Sequence, residues 1–112
     1  MDISLTNVHL DLGAGRRGTD MGPSAIHVAG LVPGLERLGH SIHRVLSLGG
    51  PSFEALTPGN PSARFLNEIL QICVQLADIV EEDMASTRFP LVLGGDHAQA
   101  VGTISGMARG YR

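Results

Sequence analysis

Apolar residues recur along this chain with two different periods. Between Ile3 and Leu10 they stand at positions 3, 5, 8 and 10, mixed with the β-branched Thr6, as in a strand. Between Phe65 and Met84 they recur every three to four residues, as on one face of a helix. We therefore predict a first strand in the earlier segment and a long amphipathic helix in the later one, with Ser62 as the helix cap.

Glycine and proline divide the amino-terminal part of the chain into short elements. A helix is predicted from Ser24 toward Leu31, because Gly-Pro precedes it and Pro suits a first helical turn. We expect Pro33-Gly34 to interrupt this helix. A further helical turn should follow and end at Gly39 as a carboxyl-terminal cap.

The remaining elements complete an alternating order of strands and helices. Strands are predicted over 41–48 and 91–93, a loop between 49 and 61, and a last helix over 98–109. Gly102 and Gly106 are expected to loosen that helix. The order predicts an α/β fold with a parallel sheet, formed by residues 1–112 as one domain or part of one. Three strands leave an edge unpaired, so we expect something else to cover it.

Composition restricts the possible partners. The formal net charge is -3 and the chain has no run of Lys or Arg, which argues against nucleic acid and anionic membranes as partners. No apolar run approaches the roughly 20 residues that span a bilayer. The single Cys73 excludes an internal disulfide, and no secretion signal is recognisable. We predict a soluble, cytoplasmic protein that binds small molecules or other proteins.

The candidate chemistry lies where the third predicted strand ends. An apolar run from Phe89 stops at two glycines and is followed by Asp96 and His97. Open α/β sheets bind ligands beyond the carboxyl ends of their strands, so His97 is expected to face a site. A second interpretation is that Asp96 and His97 only cap the following helix. These two residues alone do not make a metal site, which usually needs three or four protein ligands.

Two other groups are weaker candidates. His40 and His43 have an x-x spacing that could join two metal ligands, but a turn into a strand does not reliably bring two rings together. Cys73 lies on the apolar face of the long helix, where it is best interpreted as a small core residue.

The glycine-rich turn after the first strand has two possible functions. Arg16-Arg17 could bind a carboxylate through paired hydrogen bonds, but a solvated loop or a subunit contact is favoured. Gly13, Gly15 and Gly18 match the spacing of a dinucleotide-binding turn. No helix begins inside that spacing and no acidic residue closes a second strand, so we reject a nicotinamide cofactor.

Two segments resemble the arginase branch of the ureohydrolases. They are Gly15-Arg16-Arg17-Gly18-Thr19-Asp20-Met21-Gly22-Pro23-Ser24-Ala25-Ile26 with Ala29-Gly30-Leu31, and Phe89-Pro90-Leu91-Val92-Leu93-Gly94-Gly95-Asp96-His97 with Gly102-Thr103-Ile104-Ser105-Gly106. The Arg-Arg-Gly form before Gly-Pro is more similar to bacterial arginases than to agmatinases or formiminoglutamases.

The resemblance implies a three-layer α/β fold with an eight-stranded parallel sheet, of which the first three strands and their helices are present. It implies two Mn²⁺ ions, a trimeric or hexameric assembly, and hydrolysis of L-arginine to L-ornithine and urea. His97 corresponds to a manganese ligand and Asp96 to a residue that supports it. The substrate-binding residues stay unknown.

The chain also departs from the family pattern. The Asp-Ala-His-x-Asp and Asp-x-Asp segments that supply the other ligands do not follow His97, and Ala98 stands where the family commonly has Ser. We therefore expect the amino-terminal portion of a manganese arginase, inactive alone. The alternatives are a non-catalytic protein that pairs through its third strand with a homologous subunit, another ureohydrolase such as agmatinase, and a degenerate gene product.

Overall fold

The computed structural model describes residues 1–14, 18–49 and 65–111. The strands are β1 (Asp2–His9), β2 (Ser41–Gly49) and β3 (Phe89–Gly94). The helices are α1 (Gly22–Val28), α2 (Leu31–Arg37), α3 (Leu66–Ala85) and α4 (Gln99–Gly110), with a 3-10 helix (Thr19–Met21) before α1. The predicted helix cap at Ser62 and the predicted loop between 50 and 61 lie outside the described residues.

The three strands form a parallel sheet in the order β2-β1-β3. β1 lies in the centre and is buried from Ile3 to Val8. Among the described strands, β2 and β3 each pair with β1 alone, so each has one outer edge without a neighbouring strand. Val8 aligns with Gly94, which places the carboxyl ends of β1 and β3 side by side. The predicted parallel α/β sheet is confirmed.

The prediction for the first helical region is correct about its end and wrong about its interruption. Pro33 and Gly34 lie inside α2, and the break comes earlier, at Gly30 with a φ of 102°. Pro33 is tolerated because it occupies the third position of α2, where a backbone N–H has no acceptor within the helix. Gly39, with a φ of 92°, follows the carboxyl end of α2 as predicted.

The core lies between α3 and one face of the sheet. Its main cluster consists of Val8, Leu10, Leu12, Phe65, Ile72, Leu76 and Val80. α3 coincides with the predicted apolar stripe over 65–84 to within a residue at each end, because a stripe of this length leaves little choice of period. Its N-cap is Phe65 and not the predicted Ser62.

Glycines of α4 make the contact between α4 and α3. A Cβ added at Gly106 would lie 2.5 Å from the carbonyl oxygen of Ala77, and one at Gly102 would lie 2.7 Å from that of Cys73. We predicted that these glycines loosen α4. Instead they let two helix backbones approach closely, a contact that a helix-propensity argument does not consider.

A buried ion cluster joins β2, α3 and the segment before β3. Asp83 is fully buried, and its Oδ1 accepts hydrogen bonds from the Arg44 guanidinium at 2.9 Å and from Nε of Arg88 at 3.0 Å. Arg44 Nε also donates to the Ser4 hydroxyl at 3.2 Å. The sequence did not reveal this cluster, because Arg44 and Asp83 are 39 positions apart.

Candidate functional site

The candidate site is formed by the loops that leave the carboxyl ends of β1 and β3. The Gly95 N–H donates to the Val8 carbonyl at 3.2 Å, and the Asp96 N–H donates to the Leu10 carbonyl at 2.7 Å. The two segments therefore stay paired beyond the end of β3. A Cβ at Gly95 would overlap the backbone of Leu10, so this approach requires glycine.

The Asp96 carboxylate fastens these two loops together. Its Oδ2 accepts a hydrogen bond from the Gly13 N–H at 2.7 Å, and its Oδ1 accepts one from the Ala98 N–H at 2.9 Å. Asp96 is buried, and α4 begins at Gln99 with no side-chain cap. The capping interpretation therefore does not describe Asp96, since one of its oxygens binds a separate segment. With both oxygens accepting backbone N–H bonds, its geometry suits support of a neighbouring residue.

His97 follows Asp96 and is exposed, in the turn between β3 and α4. Its imidazole has no hydrogen bond to any other residue of the described ranges. A neutral imidazole of this kind offers a free nitrogen lone pair, the donor that divalent transition metals bind. The structure therefore leaves His97 available to an external ligand while the backbone before it is fixed.

Cys73 approaches the same loop from α3. Its buried thiol donates to the Ala98 carbonyl at 3.5 Å. Burial raises the pKa of this thiol above its ordinary value of 9.0, and the negative charge of Asp96 raises it further. Cys73 therefore stays protonated at neutral pH, in keeping with the prediction of a core residue and against a role as nucleophile.

His40 and His43, the weak candidate for a ligand pair, have different partners. The Met1 amino group lies 3.0 Å from Nδ1 of His40, whereas Nδ1 of His43 lies 3.7 Å from the Asp2 carboxylate. Both histidines lie near the amino end of β1, the opposite end of the strand from Asp96.

Two other histidines hold the first helices against β1. His9 Nδ1 lies 3.0 Å from the Asp20 carbonyl oxygen, and His27 Nε2 lies 2.8 Å from Oδ1 of Asn7. Periodicity gave no signal for either contact. Arg16-Arg17, for which a solvated loop or a subunit contact is favoured over carboxylate binding, lies outside the described residues.

The described residues do not provide a complete metal site. Over 1–14, 18–49 and 65–111, no three His, Cys, Asp or Glu side chains are grouped so that they could hold a metal ion. Within the same ranges, no helix has the length and apolar character needed to cross a membrane. His97 is thus a single candidate ligand.

Comparison with known proteins assigns the family. The family described as "Arginase family" matches residues 1–112. The chain belongs to the arginase family. An arginase of Brevibacillus brevis is 43% identical over 111 residues, covering 96% of this chain and 36% of the relative. An arginase of Bacillus caldovelox is 42% identical over 110 residues, covering 97% and 37%.

Solved arginase structures share the fold. The crystal structure of arginase from Bacillus subtilis superposes with a TM-score of 0.85 at 36% identity, covering 97% of this chain and 36% of the other. Arginase from Bacillus cereus gives 0.80 at 41% identity, covering 97% and 35%. The three parallel strands and their helices are therefore part of the arginase fold, and the chain spans about 36% of the length of the relatives it matches.

Proposed function

We propose that the chain is the amino-terminal portion of a manganese-dependent arginase and contributes His97 as one metal ligand. The observation that carries this proposal is the position of His97: exposed, free of hydrogen bonds within the described ranges, and next to a loop that Asp96 fixes at the carboxyl edge of β3. Family membership supports an arginase-like ureohydrolase.

The side chains of His97 and Asp96 fit part of a manganese site. His97 would supply a nitrogen, and Asp96 would hold the 95–98 loop through its two bonds to backbone N–H groups. Mn²⁺ prefers several oxygen ligands, so its remaining ligands would come from side chains beyond the described residues. Bound metal supplies a water of lowered pKa for hydrolysis. His97 would hold the ion through one ring nitrogen.

The proposed substrate is L-arginine, hydrolysed to L-ornithine and urea by the complete enzyme in a cytoplasmic homotrimer or homohexamer. Agmatine, the substrate of a related ureohydrolase, is the competing choice. The names of the relatives and the Arg-Arg-Gly form at 16–18 favour L-arginine. The residues that would discriminate between them are not among those described.

A chimera tests this proposal directly. Residues 1–112 would replace the matching segment of the Bacillus caldovelox arginase, and urea release, agmatine turnover and manganese content would be measured. We expect urea from L-arginine, and we expect His97→Ala to reduce both turnover and bound manganese. His40→Ala is the matched control, because His40 lies at the opposite end of β1. Full metal content in the His97→Ala chimera would contradict the proposal.

A second candidate function is a non-catalytic interaction with a homologous subunit. Several apolar side chains of α3 and α4 are exposed: Leu66, Leu70, Val74, Val101 and Ile104 are each more than half exposed. β3 also has an outer edge free of strand partners among the described residues. Large exposed apolar patches commonly mark binding surfaces. Retention of the chain on an immobilised arginase, lost on Val101→Glu, would favour this function.

A further inference from the structure

We propose that Gly13 and Cys73 are positioning residues for His97 and act through the loop over 95–98. This inference rests on the proposed function, since it deepens the role of His97 in that site. It concerns how this chain holds the candidate ligand, and the contacts that carry it all meet at Ala98.

Ala98, the residue after His97, is held by a bond within its own loop and by contacts from two other segments. Its N–H donates to Asp96 within the loop, its carbonyl accepts from the Cys73 thiol of α3, and its methyl group faces Gly13 after β1. Each contact uses a different group of Ala98. Together they fix the backbone immediately beyond the imidazole of His97.

Position 13 has no space for a side chain, so it requires glycine. A Cβ there would lie 2.9 Å from the Ala98 Cβ and 3.1 Å from Oδ2 of Asp96. The Gly13 N–H also donates to that same Oδ2 at 2.7 Å. Any side chain at position 13 would push the loop after β1 away from the 95–98 loop and lengthen this hydrogen bond.

Cys73 stands where α3 meets both the 95–98 loop and α4. Its thiol reaches the Ala98 carbonyl at 3.5 Å, and its backbone lies against Gly102, where an added Cβ would be 2.7 Å from the Cys73 carbonyl oxygen. The position therefore has a fixed backbone, and its side chain points at the loop. A ligand held by such supporting contacts keeps its orientation before metal arrives.

Nuclear magnetic resonance of the 112-residue chain without metal tests the inference. The variants are Gly13→Ala and Cys73→Ala, with Cys73→Ser as the conservative variant that keeps a donor. Gly34→Ala is the control for glycine, since the nearest atom to an added Cβ is 3.9 Å away. Val74→Ala is the control for α3, since Val74 is 52% exposed. The readouts are hydrogen exchange at the Ala98 amide and the ring signals of His97.

We expect both test variants to speed exchange of the Ala98 amide by about threefold to tenfold, the change that loss of one ordinary hydrogen bond produces. The His97 ring signals should shift, the Leu5 amide should keep its protection, and Cys73→Ser should restore the wild-type values. Unchanged Ala98 exchange and His97 signals, or equal changes in the controls, would overturn the inference. If Gly13→Ala does not fold, the Cys73→Ala and Cys73→Ser comparison decides.

The proposed function is tested in a separate titration with Mn²⁺. If the His97 signals of the wild-type chain do not change with Mn²⁺, the proposed ligand role is wrong. The loop measurements need no metal, so they still test the contacts of Gly13 and Cys73. Conversely, loop variants without effect would overturn the inference while leaving the ligand role of His97 intact.

Discussion

Replacement of Asp83 by Asn should remove a large share of the stability of the chain. Asp83→Asn keeps the side-chain volume but deletes the negative charge between Arg44 and Arg88, which approach the carboxylate to 2.9 and 3.0 Å. The two arginine side chains are only 24% and 12% exposed, so water compensates their charges poorly. Removing one partner of a buried ion pair costs about 3–5 kcal/mol, because the remaining charge stays desolvated.

The structure places this variant at or just below the lower limit of that range. The amide carbonyl that D83N introduces can still accept one hydrogen bond, and Glu82 lies 3.6 Å from both arginines. We therefore expect a loss of about 2–3 kcal/mol, from a total of roughly 5–15 kcal/mol for a domain. In urea unfolding followed by circular dichroism, the midpoint should fall by roughly 1–2 M for a slope near 1.5 kcal/mol/M.

Two further variants separate the physical causes. Glu82→Gln changes a side chain that is 60% exposed and should cost less than about 1 kcal/mol. The triple replacement Arg44→Met, Asp83→Leu and Arg88→Met should recover much of the loss, because an apolar trio leaves no charge unpaired. A D83N midpoint equal to that of E82Q would refute this account of the cluster.

The packing and the donor set give three other predictions. Gly106→Ala should destabilise the chain by about 1–3 kcal/mol through overlap with Ala77, whereas Gly34→Ala, in open space, should be neutral or stabilising by up to about 1 kcal/mol in the same urea assay. The raised pKa of Cys73 means that the folded state holds this proton more tightly than the unfolded state, so stability should fall as pH rises above about 9. Cys73→Ser should flatten that decline in the unfolding midpoint. The isolated chain should release no urea from L-arginine and bind Mn²⁺ weakly by calorimetry, whereas turnover abolished by His97→Ala would contradict this expectation.

Sequence patterns predicted the elements whose signal lies within a single segment of the chain. α3 and β1 were found because their apolar periods persist over many residues, and Gly39 was found because a helix end needs a residue with positive φ. The break between the first two helices lies at Gly30 and not at the predicted Pro33-Gly34. Proline is tolerated in the first turn of a helix, and the sequence alone did not show that α2 begins just before Pro33.

Those patterns could not predict contacts between segments that are far apart in the sequence. Gly102 and Gly106 looked like weak points of a helix until α3 was placed against them. At the candidate site, the motif ending in His97 predicted a residue beyond the carboxyl end of the third strand, and His97 lies exposed there, after β3. The roles of Gly13 and Cys73 depend on how three separate segments meet at Ala98, which no local pattern encodes.

The most direct test of the central claim is a titration of the chain with substoichiometric Mn²⁺, followed through the imidazole signals of its five histidines. We expect selective paramagnetic broadening of His97, whose ring is exposed and free of hydrogen bonds within the described ranges. His40 and His43, near the amino end of β1, should stay sharp at the same metal ratio. Broadening of His40 or His43 with a sharp His97 signal would contradict the claim that His97 is the manganese ligand.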